Sequence, residues 1–483
     1  MDKSKQPVLL SFRSSPAFIT TVIAYAVFTD QFLFAVIIPV APFALHDRLH
    51  LPEDRIQYWI ALLLGVYGLG CFVWSPFWGW YSDRKASRRT PWLLGLLVLL
   101  AATILLWLAK SIALQLVARI LQGLASTVIW TTGLAIMVDT VGDEHIGEYM
   151  GYIGISLNLG TLIAPLVGGL IFAHFGYNAV FFLMLCIIAV DIILRLGMVE
   201  RQVAFQWLPV DTERILGSVD DKYTVVESAG NENKDEVLAR LETISRSSSP
   251  DSVASSQDAK WQRCIPTMFK LLLSARFLSA LWGTFVLAAV YSGLETVLPL
   301  VVHSKFGWSS TGGGLIFLPF MAPALLGPLV GRLSDRIGPR WIATGGFLLM
   351  SPSFVLLFLV QNNTTSQKVL LFGLLGSIGL SITLALEPLM AEITHVASRT
   401  GGNEAHGSGR RTRSSYAQAY AMFNMAWATG GTIGPLWAGL ILESQGWREM
   451  SWSFGLLSGA SVIPTVLLCG GWWWQKADDE EAL

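Results

Sequence analysis

Ser75-Pro76-Phe77-Trp78-Gly79-Trp80-Tyr81-Ser82-Asp83-Arg84-Lys85-Ala86-Ser87-Arg88-Arg89 passes from an apolar, aromatic run through a glycine and an acid into a basic cluster. The design returns as Gly327-Pro328-Leu329-Val330-Gly331-Arg332-Leu333-Ser334-Asp335-Arg336-Ile337-Gly338-Pro339-Arg340. Pro76, Gly79, Ser82, Asp83 and Arg84 each recur 252 residues later. One offset held over that many positions argues that the chain contains a duplicated half. On each side of both copies lie long apolar runs, so the polar ends of the repeat read as short loops between buried segments.

Composition agrees. Of 483 residues 53% are hydrophobic and only 14% charged, with a mean hydropathy of +0.53. A water-soluble chain of this length needs more charge to cover its surface. The apolar runs approach the roughly 20 residues that cross a bilayer as a helix. The expected class is therefore an all-α integral membrane protein, with twelve spans at about 17–45, 56–82, 91–110, 112–138, 147–174, 178–198, 275–303, 310–335, 341–361, 368–396, 414–443 and 449–474. Gly and Pro interrupt many of them, as packed membrane helices tolerate. A net charge of −1 offers nothing to nucleic acid. Cys71, Cys186 and Cys469 lie in apolar runs and Cys264 in a polar stretch, without metal-ligand spacing. No phosphate-binding loop, HExxH or GxSxG elbow is present, so neither nucleotide hydrolysis nor covalent catalysis is indicated, and the chain is not expected to be an enzyme.

Basic residues set the orientation. Lys3, Lys5, Arg13, Arg84, Lys85, Arg88, Arg89, Arg336, Arg340, Arg399, Arg410, Arg411 and Arg413 fall on one side of the predicted spans. The opposite loops hold isolated charges such as Lys110, Lys305 and Arg448. Both termini are expected in the cytosol. Residues 199–268 form the one long polar segment, a cytoplasmic linker between six-helix bundles at 1–198 and 269–483. Within it, Asp235 to Ile244 has the spacing of a short amphipathic helix, and Arg246-Ser247-Ser248-Ser249-Pro250-Asp251-Ser252 reads as disordered. Asn362-Asn363-Thr364-Thr365 places two overlapping glycosylation acceptors on the predicted outer side.

A second repeat lies at Gly160-Thr161-Leu162-Ile163-Ala164-Pro165-Leu166-Val167-Gly168-Gly169-Leu170-Ile171. It returns at Gly430-Gly431-Thr432-Ile433-Gly434-Pro435-Leu436-Trp437-Ala438-Gly439-Leu440-Ile441, 270 residues on. Small residues let helix backbones approach, and proline bends a helix. Tight packing alone accounts for such a pattern; a gate can also be built from it.

Charges inside the spans are the candidate functional groups. Asp30 sits near the middle of the first span with nothing basic in its helix. A carboxylate there must face a cavity, carry a proton or meet a cation. Glu387 lies deep in the tenth span, Glu295 toward the outer part of the seventh and Arg119 in the outer part of the fourth. A headgroup-reaching acid is the plainer reading of Glu295. Asp139 and Asp191 fall near cytoplasmic ends, where solvation or local pairing suffices.

The first repeat resembles the loop signature of the major facilitator superfamily, G-x-x-x-D-R-x-G-x-(R/K), carried here by Gly79, Asp83 and Arg84 and again by Gly331, Asp335 and Arg336. The resemblance implies two pseudo-symmetric six-helix bundles and a cytoplasmic gate. In that gate the acid meets the positive end of a neighbouring helix while Arg84 pairs with another acid. The second repeat is similar to the motif of the antiporter branch, carried by Gly160, Pro165, Gly168 and Gly169, with Gly430, Pro435 and Gly439 in the second copy. Asp30, Pro39 and Pro42, Ala118-Arg119-Ile120-Leu121-Gln122-Gly123-Leu124-Ala125-Ser126, and Asp143-Glu144-His145-Ile146-Gly147-Glu148-Tyr149-Met150-Gly151 look like the vesicular amine transporters. There the first-helix acid pairs with the substrate amine, a role that falls on Asp30. Arg119 matches the superfamily's fourth-helix arginine.

The chain also departs from that family. The second span reads Val66-Tyr67-Gly68 and holds no lysine, the eleventh-helix acid falls on Asn424, and alignment on Pro388 puts Thr383 at the tenth-helix acid. Amine-for-proton exchange therefore does not carry over whole. The resemblance implies a secondary transporter that exports an amphipathic organic compound, a drug, amine or secondary metabolite, in exchange for protons. It needs no cofactor beyond the proton gradient and works as a monomer. The partners are a small organic substrate, protons and the lipid bilayer, and the plasma membrane is the expected location. A membrane sensor on the same fold, or a uniporter or symporter for a nutrient, are the alternatives.

Overall fold

The computed structural model describes residues 9–49, 52–84, 87–142, 145–204, 207, 267–308, 310–405 and 415–471, all helix and connecting turn with no strand among them. Met1–Val203 and Thr267–Leu483 belong to one compact unit. Both halves of that unit begin alike. Ser15 accepts a hydrogen bond from Phe18 N at 3.3 Å, and Ser274 accepts one from Phe277 N at 3.4 Å. A serine cap satisfies one of the helix's orphan donors at each start.

In the first half α1 spans Pro16–Ala35, α2 Ile37–Leu49, α3 Glu53–Arg84, α4 Arg89–Leu108, α5 Ile112–Val128, α6 Leu134–Val141, α7 Ile146–Phe175 and α8 Tyr177–Gly197. In the second half α9 spans Ala275–Phe306, α10 Gly327–Ile337, α11 Pro339–Leu356, α12 Thr365–Ala405, α13 Tyr416–Ser444 and α14 Trp447–Leu468. Among the described residues eleven helical segments are long and apolar enough to cross a membrane. Tyr416–Ser444 has the length, 29 residues, with a smaller apolar content owing to its glycines and polar residues.

Several predicted spans are not single helices. The first, expected at 17–45, breaks between α1 and α2, because Pro39 has no N–H to give the carbonyl of Ala35. The fourth holds a π-turn at Ile129–Gly133 between α5 and α6. The eighth, expected at 310–335, is Ser310–Leu315, Phe317–Met321, a 3-10 stretch at Ala322–Leu326 and then α10. Pro319, Pro323 and Pro328 each remove a backbone donor from it. The tenth runs on to Ala405, beyond the expected 396. Gly176 and Gly446 turn the chain after α7 and α13 with φ of 79° and 103°, a region that favours glycine. Most of the 199–268 linker, including the Asp235–Ile244 and Arg246–Ser252 stretches, lies outside the described residues.

Candidate functional site

The two halves meet along two seams, α3 against α13 and α7 against α10. Glycine sets both. A Cβ on Gly79 would approach Ala421 Cβ to 2.7 Å and Ala417 O to 2.8 Å. Gly147 and Gly151 press on Gly331 and Gly327 so closely that a Cβ on any of them would strike the opposite chain.

Each seam ends in a carboxylate cap. Asp83 Oδ1 accepts from Ala417 N at 3.1 Å and Oδ2 from Gln418 N at 3.0 Å, the second and third residues of α13. Asp335 Oδ1 accepts from Gly147 N at 2.9 Å and Oδ2 from Glu148 N at 3.1 Å, the second and third residues of α7. An anion is stabilised there by unpaired N–H groups and the helix dipole. The arginines beside these acids differ from expectation. Arg84 lies over the Trp80 ring at 4.0 Å, and neither it nor Arg336 forms an ion pair among the described residues. Arg88 reaches Asp83 at 3.4 Å and Asp139 at 3.2 Å instead. In the other seam Arg332 Nε donates to Glu148 Oε2 at 3.0 Å. The basic loop turns Arg84 outward while Arg88 folds back under the helix ends, which sequence spacing does not reveal.

Asp30 is 2% exposed. Its Oδ2 accepts from Ser126 Oγ at 2.8 Å, Trp130 Nε1 at 3.0 Å and Gln31 Nε2 at 3.3 Å, and its Oδ1 from Tyr67 Oη at 3.3 Å. These donors come from α1, α3, α5 and the π-turn, and among the described residues no cation is paired with the carboxylate. A π-turn shifts helix register by one residue and recurs at functional sites. Here it carries Trp130.

Beyond Trp130 an aromatic ladder crosses to the second half. Trp130 and Phe423 centroids are 6.2 Å apart, Phe423 and Trp427 6.3 Å, and Trp427 and Tyr291 6.1 Å. Trp130, Gly154, Leu157, Met390, Phe423 and Trp427 line a narrow crevice between the halves, too tight in this conformation to admit a water. Tyr291 Oη donates to Asn158 Oδ1 at 3.5 Å, bridging the halves again. Glu295 is half-buried beside Tyr291. Glu387 is 1% exposed, and its Oε2 has no hydrogen-bond partner among the described residues. Two glycines from the α7–α10 seam make its space: a Cβ on Gly154 would collide with Oε1, and one on Gly327 would come within 3.0 Å.

Asn424 Nδ2 donates to Ser75 Oγ at 2.8 Å and to Thr127 Oγ1 at 3.5 Å, so it fastens α13 to the first half. Thr383 Oγ1 bonds its own helix at Gly379 O. Arg119 is 1% exposed and donates from Nη1 to Gln122 Oε1 at 3.0 Å. Asp191 is paired with Arg195 at 2.7 Å.

The second repeat packs within each half. Gly160 lies against Phe28 and Gln31 of α1, and Gly168 against Val36. Gly430 lies against Phe285 and Ala288 of α9, and Gly434, absent from the sequence-based set, against Ala289. Gly169 and Gly439 have open space where a Cβ would stand, so in this conformation neither makes a close helix contact. Pro165 and Pro435 lie inside α7 and α13. Asn362 and Asn363 are exposed in a short loop, where Asn363 Nδ2 donates to Phe306 O at 3.4 Å. No group of three metal-ligating side chains exists among the described residues.

Sequence reading missed the aromatic ladder, Tyr67 and Ser126, and the glycines around Glu387. Phe423 and Trp427 stand four residues apart and so share a helix face, which was the available signal.

Comparisons with known proteins agree with this architecture. The profile described as Major Facilitator Superfamily matches residues 23–409. An uncharacterized MFS-type transporter of Schizosaccharomyces pombe is 30% identical over 433 residues, covering 89% of this chain and 91% of that protein. The MFS-type transporter ppzB of Metarhizium rileyi is 28% identical, covering 97% and 98%. The multidrug resistance protein MdtG of Salmonella paratyphi C is 23% identical, covering 86% and 87%. The crystal structure of the human organic anion transporter TETRAN superposes with a TM-score of 0.62 at 17% identity, covering 95% of this chain and all of that one.

Proposed function

The chain belongs to the major facilitator superfamily and is a multi-pass membrane transporter rather than an enzyme, and from that premise we propose that it exports an amphipathic organic compound in exchange for protons. The observation that carries the reading is Asp30, a buried carboxylate held by four donors, with no paired cation among the described residues, behind the tryptophan that lines the crevice between the halves. The donors keep the charge tolerable while the site is empty, and a substrate cation reaching past Trp130 replaces them. The aromatic ladder offers such a compound an apolar path toward Asp30. Glu387 stands on the opposite half, where no donor meets Oε2. A carboxyl so placed is the candidate proton carrier, because taking up and losing a proton needs no partner to be broken. The multidrug resistance protein among the relatives supports the export direction. The plasma membrane, cytosolic termini and a monomeric working unit belong to the same proposal.

The test is transport into proteoliposomes under an imposed pH gradient, with cationic, neutral and anionic amphiphiles. Asp30→Asn is expected to weaken uptake of cations by roughly thirtyfold or more, as loss of one partner of a desolvated charge pair does, and to spare neutral compounds. Glu387→Gln is expected to abolish the dependence on the gradient while leaving exchange. Unchanged transport by Asp30→Asn at every pH would sink the proposal.

A further inference from the structure

The first half buries a second charge that has no counter-charge among the described residues. Arg119 spends Nη1 on Gln122, but its Nε and Nη2 find no acceptor. Gln122 in turn directs its amide toward Thr103 at 3.5 Å. What faces the guanidinium is aromatic: its carbon lies 5.9 Å from the Phe34 centroid and 6.0 Å from that of Tyr67. Those rings pack on each other at 4.8 Å and are both half-buried, so they form a thin cover over the charge. A buried cation served only by one amide oxygen and two π faces is costly to keep for structure alone. The two idle donors are informative. Nε and Nη2 form one edge of the guanidinium, the fork that takes a carboxylate through two parallel hydrogen bonds.

Tyr67 joins this cation to the acid already described. Its hydroxyl donates to Asp30, and its ring covers Arg119. The two charges do not pair with each other. Along α5, Ser126, which holds Asp30, follows Arg119 by seven residues, a rise of roughly 10 Å. A cation-seeking carboxylate and a carboxylate-seeking guanidinium thus stand apart with an aromatic wall between them.

We infer that the transported compound is zwitterionic, with its amine at Asp30, a carboxylate or similar planar anion on the Nε–Nη2 edge of Arg119, and an aromatic or apolar body along Tyr67 and Phe34. This rests on the substrate role proposed for Asp30 and extends it to the whole ligand. Phe34 and Tyr67 then act as the cover that the anionic end displaces.

The test is equilibrium binding to the purified transporter in nanodiscs, without a gradient, so failure of proton coupling does not affect it. Four radiolabelled compounds share one body: butylbenzene, phenylbutylamine, para-butylbenzoate and para-(aminobutyl)benzoate. The doubly charged compound is expected to bind at least tenfold tighter than either singly charged one. Arg119→Gln is expected to remove that advantage and leave phenylbutylamine unchanged, and Asp30→Asn to remove it and leave butylbenzoate unchanged. Arg119→Lys, which keeps the charge without the fork, is expected to retain part of the advantage, which a variant that merely misfolds does not. Equal binding of phenylbutylamine and the doubly charged compound, or equal weakening of all four by Arg119→Gln, would overturn the inference.

Discussion

Arg88 is 1% exposed and divides its charge between Asp83 and Asp139, whereas Arg84, four positions earlier, is exposed and rests on an indole. Removing Arg88 takes one counter-charge from each of two acids. Arg88→Ala is expected to cost about 3 kcal/mol, the low end for breaking a buried pair because Asp139 is partly exposed. Arg84→Ala loses an exposed cation–π contact and is expected to cost under about 1 kcal/mol. Thermal unfolding of the two variants in one detergent measures the difference, and equal midpoints would refute the assignment. The same contrast shows what was legible in the chain. Asp30, Glu387 and Arg119 were visible because a charge in an apolar run is conspicuous. Their partners were not, because Tyr67, Ser126 and Trp130 reach Asp30 from separate spans and only the folded chain brings them together.

At the scale of the helix, the glycine and proline repeat shows how period decides meaning. Gly160, Ala164 and Gly168 recur every four residues and are all buried, as are Gly430, Gly434 and Ala438 in the second copy. That spacing makes one face. Gly169 and Gly439 lie one residue off it, over open space. The motif was legible as a repeat, and the helical period divides its residues between the packed face and the open one. Gly168→Leu drives a side chain into Val36 and is expected to destabilise by roughly 1–3 kcal/mol and to depress transport. Gly169→Leu is expected to stay within about 0.5 kcal/mol of the parent in both stability and transport. Thermal midpoints and initial rates of the two neighbours decide it, and equal losses would refute the face. The broken first and eighth spans follow the same logic. Hydropathy located them, but the positions of Pro39, Pro319, Pro323 and Pro328 determined that they form several short pieces.

The whole molecule repeats one device across its pseudo-twofold. In each half a carboxylate at the end of a helix takes the second and third N–H groups of a helix in the other half. The duplication was legible from a single offset of 252 residues, but the caps were not, since Ala417, Gly147 and Glu148 contribute only backbone, and only in the fold does the Gln418 amide join its own N–H on Asp83. The two copies differ in support. Asp83 also meets Arg88 and the Gln418 side-chain amide, while Asp335 has beside it His145, His395 and the ion pair of Glu148 with Arg332, which is 52% exposed and so contributes little. Both caps close the end of the bundle that carries the basic residues. If each charged cap contributes about 1 kcal/mol, Asp83→Asn with Asp335→Asn removes about 2 kcal/mol and shifts the closed-to-open ratio by roughly thirtyfold. Spin labels at Thr90→Cys in the first half and Ile337→Cys in the second, both exposed positions at that end, report it in a background without the native cysteines. The parent is expected to give one short distance, each single variant a minor longer component, and the double variant a dominant longer one. The Asp335→Asn component should exceed a simple half-share, because less else holds that seam. A double variant with the parent's distance distribution would show that glycine packing alone keeps this end closed.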